Sequence, residues 1–256
     1  LIDPRAVVDP GARIAPGVTI GPFSVIEADV EIGEGSWIGP HVVIKGPTRI
    51  GPRNKIFQFA SLGDAPQDKK YQSEVTYLEI GSDNIIREYC TVNRGTLQGG
   101  GVTRVGNNNW IMAYVHIAHD CQVGHSTVFA NGASLAGHVK VEDYAILGGF
   151  TLVHQFCALG AYCFCAAGSV LNMDVPPFVM VSGYWARPYG INMEGLKRHG
   201  FSPETRRALN RAYKVLFRSG LTLSQAIERL RQMANEAPEI TTLVEFLQRS
   251  QRGIVR

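Results

Sequence analysis

The sequence predicts a mainly β chain: a parallel β-solenoid over residues 1–177, then a connector and an α-helical domain over residues 178–256. Three observations carry this reading. A large aliphatic recurs every sixth residue, at Ile2, Val8, Ile14, Ile20, Ile26, Ile32, Ile38, Ile44, Ile50, Ile56 and Leu62. A small or β-branched residue follows four positions after most of them, at Ala6, Ala12, Val18, Ser24, Val30, Ser36, Val42, Thr48 and Ala60. The period then stops at Val175-Pro176-Pro177, beyond which helix-capping signals begin.

A helix has no use for a period of six, which drifts around its 3.6-residue turn. Short strands joined at tight corners do. The aliphatic fills the interior, the small residue sits near a corner, and a Gly after the aliphatic is expected to permit the bend. A single hexad buries too little apolar surface to be stable, so stacking of hexads must supply the core. The phase returns at Ile80, Ile86 and Val92, then slips by one and runs from Val105 through Ile111, Ile117 and Val123 to Leu171. Two insertions interrupt it, near 63–77 and 98–104. The first is polar (Asp64 to Tyr71), and the second holds Gly99, Gly100 and Gly101. Such insertions map to loops, often on the binding face. The glycine run lacks the Lys-Ser/Thr of a phosphate loop and predicts a flexible segment.

In the tail, Ser202-Pro203-Glu204 reads as an N-cap, a Pro at the first helical position and an acidic first turn, opening a helix to about Arg218 with Gly220 as its stop. Thr222-Leu223-Ser224-Gln225 resembles a capping box for a helix through Met233, and a third helix is expected between Pro238 and Arg252. The bundle is expected to cover the open end of the solenoid.

Composition (256 residues, 45% hydrophobic, 18% charged) is that of an ordinary globular protein, and no run approaches the roughly 20 apolar residues of a membrane span. The first residues lack a secretory signal. None of the five cysteines forms a Cys-x-x-Cys pair, and four (Cys90, Cys121, Cys157 and Cys163) occupy the small position of the repeat. They predict packing roles in a reducing, cytoplasmic setting. Residues 1–175 carry 12 basic and 16 acidic side chains, and residues 176–256 carry 13 and 6, so the net charge runs from −4 to +7. A basic tail with Arg206, Arg207, Arg211, Lys214 and Arg218 suits phosphate groups or an acidic partner. No nucleic-acid partner is expected.

The chemistry is expected around Tyr114-Val115-His116-Ile117-Ala118-His119-Asp120-Cys121. In coils of 18 residues, His119, His138 and His154 fall near one edge of three successive coils. Stacking alone does not separate metal ligands, a phosphate site and a general base, but the spacing argues against metal and none is expected. Acyl transfer needs a base, a carboxylate to orient it and an N–H donor for the oxyanion. His119 is a candidate base. Asp120 is adjacent, yet adjacent strand residues point to opposite faces, so side-chain contact requires a corner or a bulge. Gly137, one coil on, can bring its N–H close to a substrate. No Gly-x-Ser-x-Gly elbow supports a serine nucleophile.

His116 to Cys121, Leu135-Ala136-Gly137-His138-Val139, Val153-His154-Gln155-Phe156-Cys157, Asp68-Lys69-Lys70-Tyr71, Val175-Pro176-Pro177 and Asn192 to Arg198 together resemble the UDP-N-acetylglucosamine acyltransferases, across essentially the whole chain. The resemblance implies a left-handed β-helix of hexapeptide repeats. It further implies transfer of an (R)-3-hydroxyacyl chain from acyl carrier protein phosphopantetheine to the sugar 3-hydroxyl, at the start of lipid A synthesis, by a homotrimer without a resident cofactor. His119 matches the general base, Asp120 its orienting carboxylate and Gly137 the oxyanion donor. Asp68, Lys70, His116, His138, His154 and Gln155 match positions lining the sugar, phosphate and acyl groove. Asn192, Glu194 and Arg198 match nucleotide contacts, and Ala167 the residue that ends the acyl groove. The chain departs from the pattern at Asn93, where His is frequent, at His199, where a second Arg is common, and at Gly183 to Arg187, which replaces a smaller turn. Competing readings are an N-acyltransferase acting on a 3-amino sugar nucleotide, an acetyltransferase using acetyl-CoA, and a non-catalytic solenoid scaffold.

Overall fold

The computed structural model describes residues 1–256. Three sheets of nine, eight and ten strands form the sides of a prism, and every third strand is a hydrogen-bonded neighbour. Partner residues lie 18 apart, as in Val7 with Val25, Arg13 with Glu31 and Thr19 with Trp37, so one coil is three hexads. The second residue of each short strand points inward. Ile20, Ile26, Ile32, Ile38, Ile44, Ile50 and Ile56 are all buried, continued by Ile86, Ile111, Ile117, Phe129 and Leu147. Each such side chain contributes about 1.5–3 kcal/mol by leaving water.

The insertions explain the phase of the repeat. Across the first, the offset grows from 18 to 30 (Ser61 to Thr91), which adds two whole hexads and preserves the phase. Across the second it is 25 (Ile80 to Val105), one residue more than a single added hexad, hence the slip. The first insertion is shorter than the sequence predicts, and the second starts earlier, after Thr91–Asn93, and ends before Val102. Ser61–Asp64 and Tyr77–Ile80 are strands, and Val102–Val105 is a strand paired with Tyr77–Ile80. Backbone that can join a neighbouring coil does so, because its N–H and C=O groups need partners. The glycine run carries local structure. Leu97–Gly99 is a 3-10 turn capped by Thr96, with Gly100 and Gly101 at φ of 96° and 81°.

The corners correct the expected role of glycine. The left-handed residue lies three positions after the aliphatic, and it is Phe23, His41, Phe59, Tyr89 and Tyr114 along one edge and Asp120, His138 and Phe156 along another. The glycines that directly follow the aliphatic are needed for close stacking instead. A Cβ on Gly33 would sit 2.5 Å from the Gly51 carbonyl carbon in the next coil.

After Leu171 the chain forms an antiparallel hairpin, Val179–Ser182 with Arg187–Ile191, that ends the ten-stranded sheet. Four helices follow: α1 (Met193–Arg198), α2 (Pro203–Arg218), α3 (Leu223–Met233) and α4 (Glu239–Arg249). Ser202 caps α2, Thr222 and Gln225 form the capping box of α3, and Gly220 takes a φ of 72° behind α2. The hairpin and α1 occupy the stretch expected to be a connector, and α4 ends at Arg249. The chain end turns back at Gly253 to pair Ile254 with Asp174 of the solenoid, and Arg249 pairs with Glu142. No helix is long and apolar enough to cross a membrane.

Candidate active site

Strand His116–Ile117 runs into a corner at which Asp120 adopts a φ of 61°. That left-handed residue supplies the turn that contact between neighbouring side chains demands. His119 Nδ1 lies 2.8 Å from Asp120 Oδ2. One coil on, the same corner carries Gly137 and His138, and the next carries Gln155 and Phe156, with φ of 62° at His138 and 66° at Phe156. His138 meets the His119 ring edge-on, with centroids 5.1 Å apart, and places its Nδ1 3.7 Å from Asp120 Oδ2. Phe156 stacks on His138 at 4.4 Å. The Asp120 side chain is fully buried, whereas that of His119 keeps 14% of its surface open to solvent.

Donor and acceptor accounting fixes what this pair can do. Thr96 N–H donates to Asp120 Oδ1 at 2.8 Å and the Thr96 hydroxyl to Oδ2 at 2.7 Å. Burial alone pushes the Asp120 carboxyl up, but the hydrogen bonds from His119 and from both Thr96 groups, with the charge of His138, outweigh it and hold the group below the usual carboxylate range. An ionised carboxylate only accepts, so the hydrogen-bond network assigns the proton to Nδ1 of His119 and leaves the Nε2 lone pair free. His138 and His116 are both held below the ordinary histidine value, chiefly by burial. For His138 the attraction of Asp120 and Asp68 works against that shift, and for both residues the charge of His119 adds to it.

Gly137 lies flat against the His119 ring: a Cβ there would fall 2.5 Å from Cε1 and 2.7 Å from Nε2. Its N–H donates to no group in the structure and is left for a ligand. His116 points outward from its strand and shares a 2.7 Å hydrogen bond with Thr91. His154 is exposed two residues before Phe156, and Gln155 sits one coil above Gly137. Asp68 and Lys70 lie in the first insertion, where Asp68 Oδ1 accepts from the Lys70 N–H.

The remaining expected residues do not join this cluster within one chain. Ala167 is exposed at the next corner of the prism, before Val170–Leu171, whose strand stacks through Leu152 and Ser134 onto His116. Asn192 precedes α1 as its N-cap and Glu194 and Arg198 belong to it, beside the third corner, where His199 meets Tyr144 and Tyr162 edge-on. Asn192 is largely consumed by structure: it caps α1 through Gly195 N–H and donates to the Tyr162 carbonyl. Asn93 is buried and donates to the Ala65 carbonyl at the start of the first insertion. Thr96 was missed as a site residue. It lies 24 positions from Asp120 across an insertion, and only the repeat's one-residue slip marks the place.

His119, Asp120 and His138 are close enough together to be weighed as metal ligands. Of the donors already on Asp120, the Thr96 hydroxyl and His119 Nδ1 fill Oδ2, the oxygen nearest both histidines, so the arrangement fits a hydrogen-bonded base better.

Comparison with known proteins bears on the same residues. Residues 174–255 match the model described as UDP N-acetylglucosamine O-acyltransferase, domain 2, and residues 103–137 match the bacterial transferase hexapeptide model. Acyl-[acyl-carrier-protein]–UDP-N-acetylglucosamine O-acyltransferases from Alkalilimnicola ehrlichii and Thiobacillus denitrificans are 60% and 62% identical, covering all of this chain and 99% of each relative. The solved UDP-N-acetylglucosamine acyltransferase of Francisella novicida superposes with a TM-score of 0.98 at 46% identity, covering 100% of this chain and 94% of that one. That of Arabidopsis gives 0.85 at 35% identity, with full coverage of both chains. The chain is thus an acyltransferase with a left-handed hexapeptide-repeat β-helix and belongs to the UDP-N-acetylglucosamine acyltransferase family.

Proposed function

We propose that the chain transfers an (R)-3-hydroxyacyl group from acyl carrier protein to the glucosamine 3-hydroxyl of UDP-N-acetylglucosamine, the first step of lipid A biosynthesis, with His119 as general base. One observation carries the assignment of roles: Nδ1 of His119 is tied to buried Asp120 at 2.8 Å, while its free Nε2 lies against Gly137, whose N–H is unused. In the forward step Nε2 takes the hydroxyl proton as that oxygen attacks the thioester carbonyl. The tetrahedral oxyanion receives the Gly137 N–H, and collapse expels the carrier thiolate, which recovers the proton from the imidazolium. No resident cofactor is needed, because phosphopantetheine arrives with the donor.

The relatives' names specify an O-acyltransferase and an acyl carrier protein, which favours a hydroxyl acceptor over an amine and a carrier thioester over acetyl-CoA. The separation of α1 from the His119 corner supports a homotrimer in which neighbouring solenoids complete each site. Incubation of the protein with UDP-N-acetylglucosamine, or its 3-amino counterpart, and with 3-hydroxyacyl carrier protein or acetyl-CoA tests the reading. Product is expected from the hydroxyl sugar and the carrier donor. Faster turnover of the amino sugar or of acetyl-CoA would replace it.

A further inference from the structure

The glycine-rich insertion closes over the catalytic carboxylate. Its position is set at Gly95, where a Cβ would meet Val102 N at 2.3 Å, and by the 3-10 turn Leu97–Gly99. Gly99 then lies directly on Asp120: a Cβ there would fall 2.0 Å from Cγ. Thr96, which caps the turn, makes two bonds to the carboxylate, N–H to Oδ1 at 2.8 Å and hydroxyl to Oδ2 at 2.7 Å. The direction of the second bond is determined locally. The Thr96 oxygen accepts from Gly99 N–H at 3.2 Å, which leaves its own proton for Asp120. From the other side the Thr103 hydroxyl accepts the Asp120 N–H at 2.8 Å, holding the backbone at its left-handed corner.

We infer that Thr96 is a positioning residue for the acyl transfer: with Gly99 it forms a preformed socket that keeps Asp120 ionised and aims Oδ2 at His119 Nδ1, so that Nε2 is the only basic nitrogen presented to the acceptor hydroxyl. The inference rests on the His119–Asp120 reading above. The logic is that of an outer group that fixes the tautomer and orientation of a catalytic imidazole. Both Thr96 donors bind the ionised carboxylate more strongly than a neutral acid, so the socket favours the charged form of Asp120. The turn must also be glycine at residue 99, because any side chain there would displace the carboxylate it covers.

The test is Thr96→Val, which keeps the branched shape and the N–H but removes the hydroxyl donor, beside Thr96→Ser, which restores it. The valine variant is expected to lose about tenfold in kcat with KM for the sugar nucleotide unchanged, the scale of one hydrogen bond to a charged group. Its acidic limb in the kcat–pH profile should move to higher pH, because Asp120 with one donor fewer holds its proton more readily. The serine variant should return both toward the parent. A folded valine variant with parental kcat and an unmoved acidic limb overturns the inference. Gly99→Ala gives an independent reading should the valine variant not fold: the methyl presses on Asp120, so kcat should fall, and a parental kcat would equally overturn the socket. His119→Ala separates the two levels. If that variant keeps its activity, the base assignment itself fails; if it is inactive while Thr96→Val is normal, only the socket fails.

Discussion

At the scale of single residues, His119 is a base because its neighbours leave it no other role. One ring nitrogen faces an ionised, buried carboxylate, and the other lies against a glycine. His119→Ala is expected to lower kcat at least ~100-fold with the fold intact, the usual scale for removing a general base. Asp120→Asn should also slow the reaction, because the amide disturbs the tautomer. A folded alanine variant with near-parental kcat would remove the assignment. The pair is legible in sequence as His next to Asp, but their contact is not, since it depends on the left-handed φ of Asp120 that the repeat places three residues after Ile117. Ala167 makes a second residue-scale case. It is exposed at the far corner of the sheet that carries His116, Ser134, Leu152 and Val170, a path along which an acyl chain can lie. If Ala167 ends that path, Ala167→Gly should lengthen the preferred 3-hydroxyacyl donor and Ala167→Met shorten it, with roughly 10–200-fold preference between adjacent sizes. A ladder of donors whose optimum is the same in all three proteins would take Ala167 out of the site.

At the scale of elements, the solenoid is legible because it repeats along one direction: each strand pairs only with those one coil before and after it, so the sequence period is the structural period. The insertions are legible as breaks, while their folding is not. Arg94 binds the Gly63 carbonyl and the Tyr71 hydroxyl, tying the first insertion to the approach of the second through contacts that no local pattern encodes. Helices α2 and α3 announce themselves by their caps. Helix α1, only six residues long, has too little periodicity to read. The basic face of α2 is partly consumed by the structure, since Arg207 pairs with Glu204 and Arg211 with Glu236. Lys214 and Arg218 are exposed without an acidic partner, which makes them the better anchors for an acidic carrier protein. Lys214→Glu with Arg218→Glu should raise KM for the carrier substrate and flatten its salt dependence, leaving KM for the sugar nucleotide nearly unchanged. An unmoved carrier KM would place docking elsewhere.

At the scale of the whole molecule, stability and assembly follow from the same corners. His116 and His138 are held below the ordinary histidine value of 6.5, so the folded state prefers them neutral. Their contribution is complete above that value and is lost as pH falls through their folded values. The melting temperature should therefore decline as pH drops from about 7 to 5, and a double variant with Asn at both positions should lose most of that slope; an equal slope in the variant would assign it to other groups.

Assembly supplies the sharpest test, because the corner bearing His119 and the corner bearing Arg198 lie on different edges of one prism. If neighbouring solenoids complete each site, His119→Ala and Arg198→Ala variants, each defective alone, should complement when their subunits are exchanged. In random trimers about one quarter of the sites would take His119 from one subunit and Arg198 from the next, which sets the activity to be recovered. A site built within a single chain would recover none, since every chain in the mixture carries one of the two defects.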